Sequence, residues 1–205
     1  MQKGEKLNAV THLFGFLFSI VALVTLVILA SVQGNVWKIV SFSIYGATLV
    51  ILYGISTVYH GVVGKYKRRM QKLDHLSIYL FIAGTATPFT LVSLRGGWGW
   101  SLFGVVWGLA VLGMIQEFFT RSQKRIFSLI IYITMGWLML IGIVPLIRNL
   151  SLGGLVWLIM GGLFYTGGMY FYINSKRVRH FHGVWHIFVI AGSVSHFFTM
   201  AFYVL

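Results

Sequence analysis

Long apolar stretches separated by short polar ones run the length of the chain. They fall near residues 9–32, 37–63, 74–94, 99–119, 125–147, 152–174 and 181–204, each about the ~20 residues that an α-helix needs to cross a hydrocarbon core. The pattern predicts an all-α membrane protein, a seven-transmembrane helix bundle that occupies residues 1–205 as one domain. The first run is too long for the apolar region of a signal peptide and lacks a small-residue cleavage site, so it reads as a retained span. No Pro-rich linker or low-complexity tract interrupts the series.

Punctuation inside the runs is sparse. Pro88 and Pro145 are the only prolines. Pro88 lies well inside the third run and should kink it, which is tolerable where neighbouring helices satisfy the freed carbonyl. Gly104-Val-Val-Trp-Gly108 is a small-xxx-small pattern that permits close helix approach. The loop Arg95-Gly-Gly-Trp-Gly-Trp100 has the composition of an aromatic anchor at a membrane interface.

Composition agrees with the pattern: 58% of the 205 residues are hydrophobic and only 9% charged, against about 25% charged in soluble domains. Sixteen Lys and Arg against three acidic residues give a net charge of +13. The basic residues form short clusters between apolar runs and leave no continuous basic face, so a nucleic-acid partner is not expected. Seven spans put Lys3, Lys6, Lys65, Lys67, Arg68, Arg69, Lys72, Arg121, Lys124, Arg125, Lys176, Arg177 and Arg179 on one side, and Lys38, Arg95 and Arg148 on the other. The positive-inside rule then predicts a cytoplasmic N-terminus and an external C-terminus. Cysteine is absent, which excludes disulfides and thiolate metal sites.

Candidate chemistry sits in the last span. His182 and His186 are four residues apart, about 40° of rotation and one turn of rise on a helix, so both rings leave the same face. That spacing suits a shared metal ion, and ionisable residues inside a span suggest function. His60 ends the second span at the same predicted membrane level, and Asp74 opens the third. His60, His182 and His186 with a water make a three-histidine zinc site with an open fourth position. Asp74 is the natural carboxylate to hold that water or orient an imidazole, and Ser56, one turn before His60, could donate to a bound oxygen.

Simpler readings stand beside these. A lone membrane histidine is commonly a packed, hydrogen-bonded residue, Asp74 could be a carboxylate at a helix N-terminus, and Ser56 an ordinary interhelical donor. His75 lies about 100° around the helix from Asp74, His180 falls in the basic loop, and His196 is about 15 Å beyond His186; these three are left outside the site. His12, at the same end of the first span, is the one substitute ligand. Glu117, one turn before Arg121, reads as half of a snorkelling interfacial ion pair.

Asn8-Ala-Val-Thr-His12, Ser56-x-x-x-His60, Leu73-Asp74-His-Leu-Ser-Ile-Tyr-Leu-Phe-Ile-Ala-Gly-Thr-x-Thr-Pro88 and His182-x-x-x-His186 with His196 beyond together resemble the bacterial hemolysin III proteins. Those are similar to the progestin and adiponectin receptor family and, more distantly, to alkaline ceramidases. The resemblance runs nearly end to end and implies seven spans with the N-terminus inside. It also implies that His60, His182 and His186 ligate zinc while Asp74 and Ser56 hold its water. The short stub before the first span, and the small outer surface, argue against a receptor for a protein hormone.

Three functions are therefore expected in order. The first is a zinc-dependent hydrolase of a lipid amide or ester, linked to membrane-lipid homeostasis. The second is a lipid-sensing, receptor-like protein in which zinc is structural. The third is a pore-forming cytolysin, which fits poorly with seven apolar spans. The expected partner is a membrane lipid, as substrate or ligand, and the expected location is a bacterial plasma membrane.

Overall fold

The computed structural model describes residues 4–119 and 126–205. Seven of its helices are long and apolar enough to cross a membrane: α1 (Lys6–Val32), α2 (Val36–Gly61), α3 (Gly64–Ser93), α4 (Gly97–Phe119), α5 (Ile126–Asn149), α6 (Leu152–Asn174) and α7 (Phe181–Val204). No strand occurs among the described residues. In lipid no water can satisfy a free N–H or C=O, so an apolar run of this length closes its hydrogen bonds within itself as a helix. The expected boundaries hold to a few residues, except that the α3 helix reaches back beyond the predicted start at 74 into the basic segment Lys67–Lys72.

Helix packing follows the small and polar positions, because the apolar ones gain little by leaving lipid. On α1 the buried residues are Asn8, His12, Gly15, Ser19, Ala22, Leu26 and Ala30, spaced by three or four on one face. The glycines bring α1 against α2: a Cβ on Gly15 would lie 2.6 Å from Tyr53, and one on Gly46 would lie 2.5 Å from Leu23. α3 is the most interior helix, with 67% of its apolar window buried, whereas α5 and α6 have 17%. Buried polar groups join the helices. Ser193 of α7 meets the Tyr53 hydroxyl at 2.7 Å and the Tyr165 hydroxyl at 3.1 Å. The Trp107 indole donates to Thr87 and the Tyr132 hydroxyl to the carbonyl of His75.

The two prolines act differently from a simple kink. After Pro88 the helix widens into a π turn over Phe89–Ser93, with Leu94 N donating to Phe89 O at 2.8 Å. In α5 the ladder tightens to a 3₁₀ turn over Leu138–Gly142 before Pro145, the stretch that contains the carbonyl Pro145 cannot pair. At the far end from the N-terminus, Trp98 and Trp100 are half exposed and Arg95 stacks over the Trp37 ring at 4.3 Å, as an interfacial aromatic belt would.

The close helix approach that the Gly104–Gly108 pattern permits is not made among the described residues. Both are exposed on α4, and a Cβ at either meets nothing within 4 Å. α4 turns a different face inward, where Gly113 admits the Tyr79 ring and Gly99 the carbonyls of Thr90 and Leu94. The sharpest glycine requirement is at Gly84 in α3, where a Cβ would lie 2.0 Å from Thr48 Oγ1 and 2.8 Å from Thr48 Cβ. Gly84→Ala is expected to cost about 1–3 kcal/mol of stability through overpacking. Gly104→Ala should be neutral or gain up to about 1 kcal/mol from helix propensity. Thermal unfolding in detergent distinguishes the two.

Candidate metal centre

The N-terminus of α1, the end of α2 and the start of α7 meet at one level of the bundle. His60 is carried by the last turn of α2, and His182 and His186 project from successive turns of α7. Their ring centroids lie 4.7–5.1 Å apart: 5.1 Å for His60–His182, 4.9 Å for His60–His186 and 4.7 Å for His182–His186. His60 and His186 are fully buried, and His182 is partly so. One nitrogen from each imidazole can be chosen so that all three lie within 4.8 Å of one another. In a tetrahedral zinc site with 2.0–2.1 Å bonds the separation is about 3.4 Å, so modest ring rotations would close the set.

The Nε2 atoms of His60, His182 and His186 are all buried and, among the described residues, have no hydrogen-bond partner. A buried imidazole nitrogen left unpaired costs about 1–3 kcal/mol, and three of them at one place form a donor set that a cation satisfies. Neutral imidazoles favour a borderline metal such as zinc or copper over calcium or magnesium. The residues present therefore fit the ion that the sequence suggested.

The sequence predicts two further residues at the site. Asp74 and Ser56 are both buried; Asp74 lines a cavity that leads away from the imidazoles, while Ser56 lies on α2 one turn before His60. The structure places His12 beside the centre, stacked on His186 with centroids 3.5 Å apart and planes at 16°. It lies 6.4 Å from His60 and stands outside the three-histidine group. Both of its nitrogens are buried and unpartnered, and it also lines the cavity.

That cavity is apolar and lies between α3, α5, α6 and α7. It begins at His12, Asp74, Tyr172 and Trp185 and reaches Phe89, Leu146 and Leu155. Asp74 and Phe89 are fifteen residues apart on α3, about 22 Å of helix, more than one leaflet's half of a ~30 Å hydrocarbon core.

A residue that the spacing of histidines did not reveal completes the arrangement. Glu5, just before α1, contacts His60 Nδ1 and lies 3.7 Å from Lys67 Nζ. The hydrogen bond to His60 holds its carboxyl down at about 2. The signal was available: Glu5, Asn8 and His12 recur at helical spacing, and Glu5 is one of only three acidic residues.

Other polar residues fall elsewhere. Glu117 does not sit at an interface, as its spacing from Arg121 suggested. It is 3% exposed, accepts from Ser128 Oγ at 2.9 Å and lies 3.8 Å from His75 Nδ1. A carboxylate with an imidazole and a hydroxyl facing it inside the bundle can turn inward; Arg121, with Lys124 and Arg125, lies outside the described residues, as does Lys3. His196 packs deeper, 3.3 Å from the Leu158 carbonyl, and His180 sits in the α6–α7 loop with φ 67°.

Comparison with known proteins matches the sequence of the chain to one family. A family profile described as "Haemolysin-III related" covers residues 2–197. The chain belongs to that family. It is 43% identical over 202 residues to the "Hemolysin-3 homolog" of Bacillus subtilis, covering 98% of this chain and 94% of the relative. It is 42% identical over 204 residues to the "Hemolysin-3" of Bacillus cereus, covering 99% and 93%. A human protein named "Monocyte to macrophage differentiation factor" is 27% identical over 200 residues, covering 94% of this chain and 81% of its own length. With its seven apolar helices, this haemolysin-III chain is a multi-pass bacterial membrane protein.

Proposed function

We propose that the chain is a zinc-dependent hydrolase that cleaves an amide or ester bond of a membrane lipid near the cytoplasmic leaflet. The observation that carries this reading is the union of two features: three imidazoles with free Nε2 atoms, and an apolar cavity that starts beside them and is long enough for an acyl chain. Bound zinc, held by His60, His182 and His186, would supply Lewis acidity and a water of pKa about 7. Asp74, buried at the cavity mouth, accepts the proton of the attacking water and returns it to the leaving nitrogen or oxygen. Ser56 donates its hydroxyl to the carbonyl oxygen as negative charge develops there. Water is consumed, and a fatty acid and an amine or alcohol are released. The cavity walls hold the acyl chain and keep bulk water from the bond.

Purified protein carrying zinc is expected to release fatty acid from at least one member of a ceramide and phospholipid panel. Failure with every member, zinc being bound, overturns the catalytic reading. A cavity variant adds a second check. Gly162 lines the cavity, and a Cβ there has the Trp137 ring as its nearest neighbour, at 3.5 Å. Gly162→Phe should lower long-chain lipid binding by about tenfold or more, equivalent to about 1.4 kcal/mol, while zinc content stays at the wild-type value.

A structural role for zinc has one observation in its favour: the three imidazoles tie the end of α2 to the start of α7. On that reading the chain senses lipid, and His182→Ala destabilises the bundle as strongly as it impairs any cellular phenotype. The relatives' name suggests cytolysis. We attribute membrane damage to altered lipids rather than to a pore, because the cavity is walled by packed helices and lined by apolar side chains. Haemolysis by purified, detergent-free protein at low concentration would overturn that view.

A further inference from the structure

The three free Nε2 atoms raise the question of what holds each ring with that nitrogen inward. For two of the three rings, the answer is one short stretch, Glu5–Thr11, at the start of α1. An ionised carboxylate only accepts hydrogen bonds, so the contact between Glu5 and His60 Nδ1 places the His60 proton on Nδ1 and leaves the lone pair on Nε2. His186 Nδ1 lies 3.2 Å from the carbonyl of Asn8, which also only accepts, and 3.2 Å from Thr11 Oγ1. The Thr11 hydroxyl is placed to donate to the carbonyls of Leu7 and Asn8, at 2.9 and 3.0 Å, so its oxygen is free to accept. His186 is thereby set in the same tautomer. Glu5 is itself held: Asn8 Nδ2 donates to it at 3.1 Å, and Lys67 Nζ stands 3.7 Å away. Lys67 is in turn fixed by the Tyr59 carbonyl at 2.7 Å and the Tyr59 ring at 4.0 Å.

We propose that the Glu5–Thr11 segment of α1 is the orienting element of the metal centre, with Glu5 the positioning residue for His60 and the Asn8 carbonyl with Thr11 that for His186. This rests on the zinc reading above and deepens it. α1 contributes none of the three ligand imidazoles, yet it presets rings on two other helices, so the centre is assembled only when α1 is docked. Outer partners of ligating histidines typically contribute about 10–100-fold in metal affinity.

The test uses the full-length protein in detergent, stripped of metal and titrated with zinc against a chelating dye, with the visible spectrum of the cobalt form recorded in parallel. Glu5→Leu is expected to bind zinc about 10–100-fold more weakly and to shift the cobalt bands, with the melting temperature of the metal-free protein unchanged. Glu5→Gln, which keeps an acceptor oxygen without the charge, should restore most of the affinity and the wild-type spectrum. Thr11→Val should produce a smaller loss. Wild-type affinity and spectrum in Glu5→Leu overturn the inference while leaving the zinc reading intact. So does equal weakening in Glu5→Leu and Glu5→Gln accompanied by lowered stability of the metal-free protein, which marks a merely structural residue. A wild-type protein that binds no zinc overturns both.

Discussion

Replacement of any one of His60, His182 and His186 by alanine is expected to take bound zinc from about one ion per chain, the stoichiometry of a closed three-nitrogen set, to near none after gel filtration. Two imidazoles do not retain the ion against dilution, and among the described residues no other group of three potential ligands lies close enough to share one. His12 is the instructive control. It is stacked on His186 at 3.5 Å, and a stacked ring packs against a ligand without sharing its metal. His12→Ala should therefore keep zinc, as should His196→Ala, whose ring lies deeper in the bundle. Metal analysis of the five purified proteins decides the matter. Full zinc in a His60, His182 or His186 variant would remove the centre as drawn.

The second large effect is expected at Asp74. Asp74→Asn preserves size and hydrogen-bonding capacity but cannot accept a proton, so it should retain zinc while turnover falls by about 10²–10⁴-fold, the usual range for a general acid–base residue. The loss should appear in kcat with little change in KM, because an interaction with a moving proton is made only in the transition state. If zinc is instead structural, Asp74→Asn changes stability in detergent and leaves lipid binding as it was. Steady-state kinetics beside a melting curve separates the two.

Much of this was legible in the sequence, for identifiable reasons. The spans could be placed because bilayer thickness dictates helix length. The proximity of His60 to His182 and His186 followed from membrane depth, which loops and charges mark on every span, and from the four-residue spacing on α7. Depth says nothing about rotation, however, and this is where the reading stopped. Glu117 and Arg121 stand at the spacing of a surface pair, yet Glu117 points inward to Ser128 and His75. Gly104 and Gly108 have the spacing of a helix contact, yet they face outward while Gly113 and Gly99 do the packing. Glu5 was overlooked because it lies before the first apolar run, where the pattern that locates spans carries no information. Its role emerges only when α1 is laid against the end of α2.

One wall of the cavity differs from the others. α5 has few fully buried side chains although many of them line the cavity, and it is interrupted by the 3₁₀ turn at Leu138–Gly142. In a bilayer, the exposed face of that helix lies against acyl tails. Thinning or stiffening of the surrounding membrane is therefore expected to act on the chamber through α5, changing the space open to a lipid there.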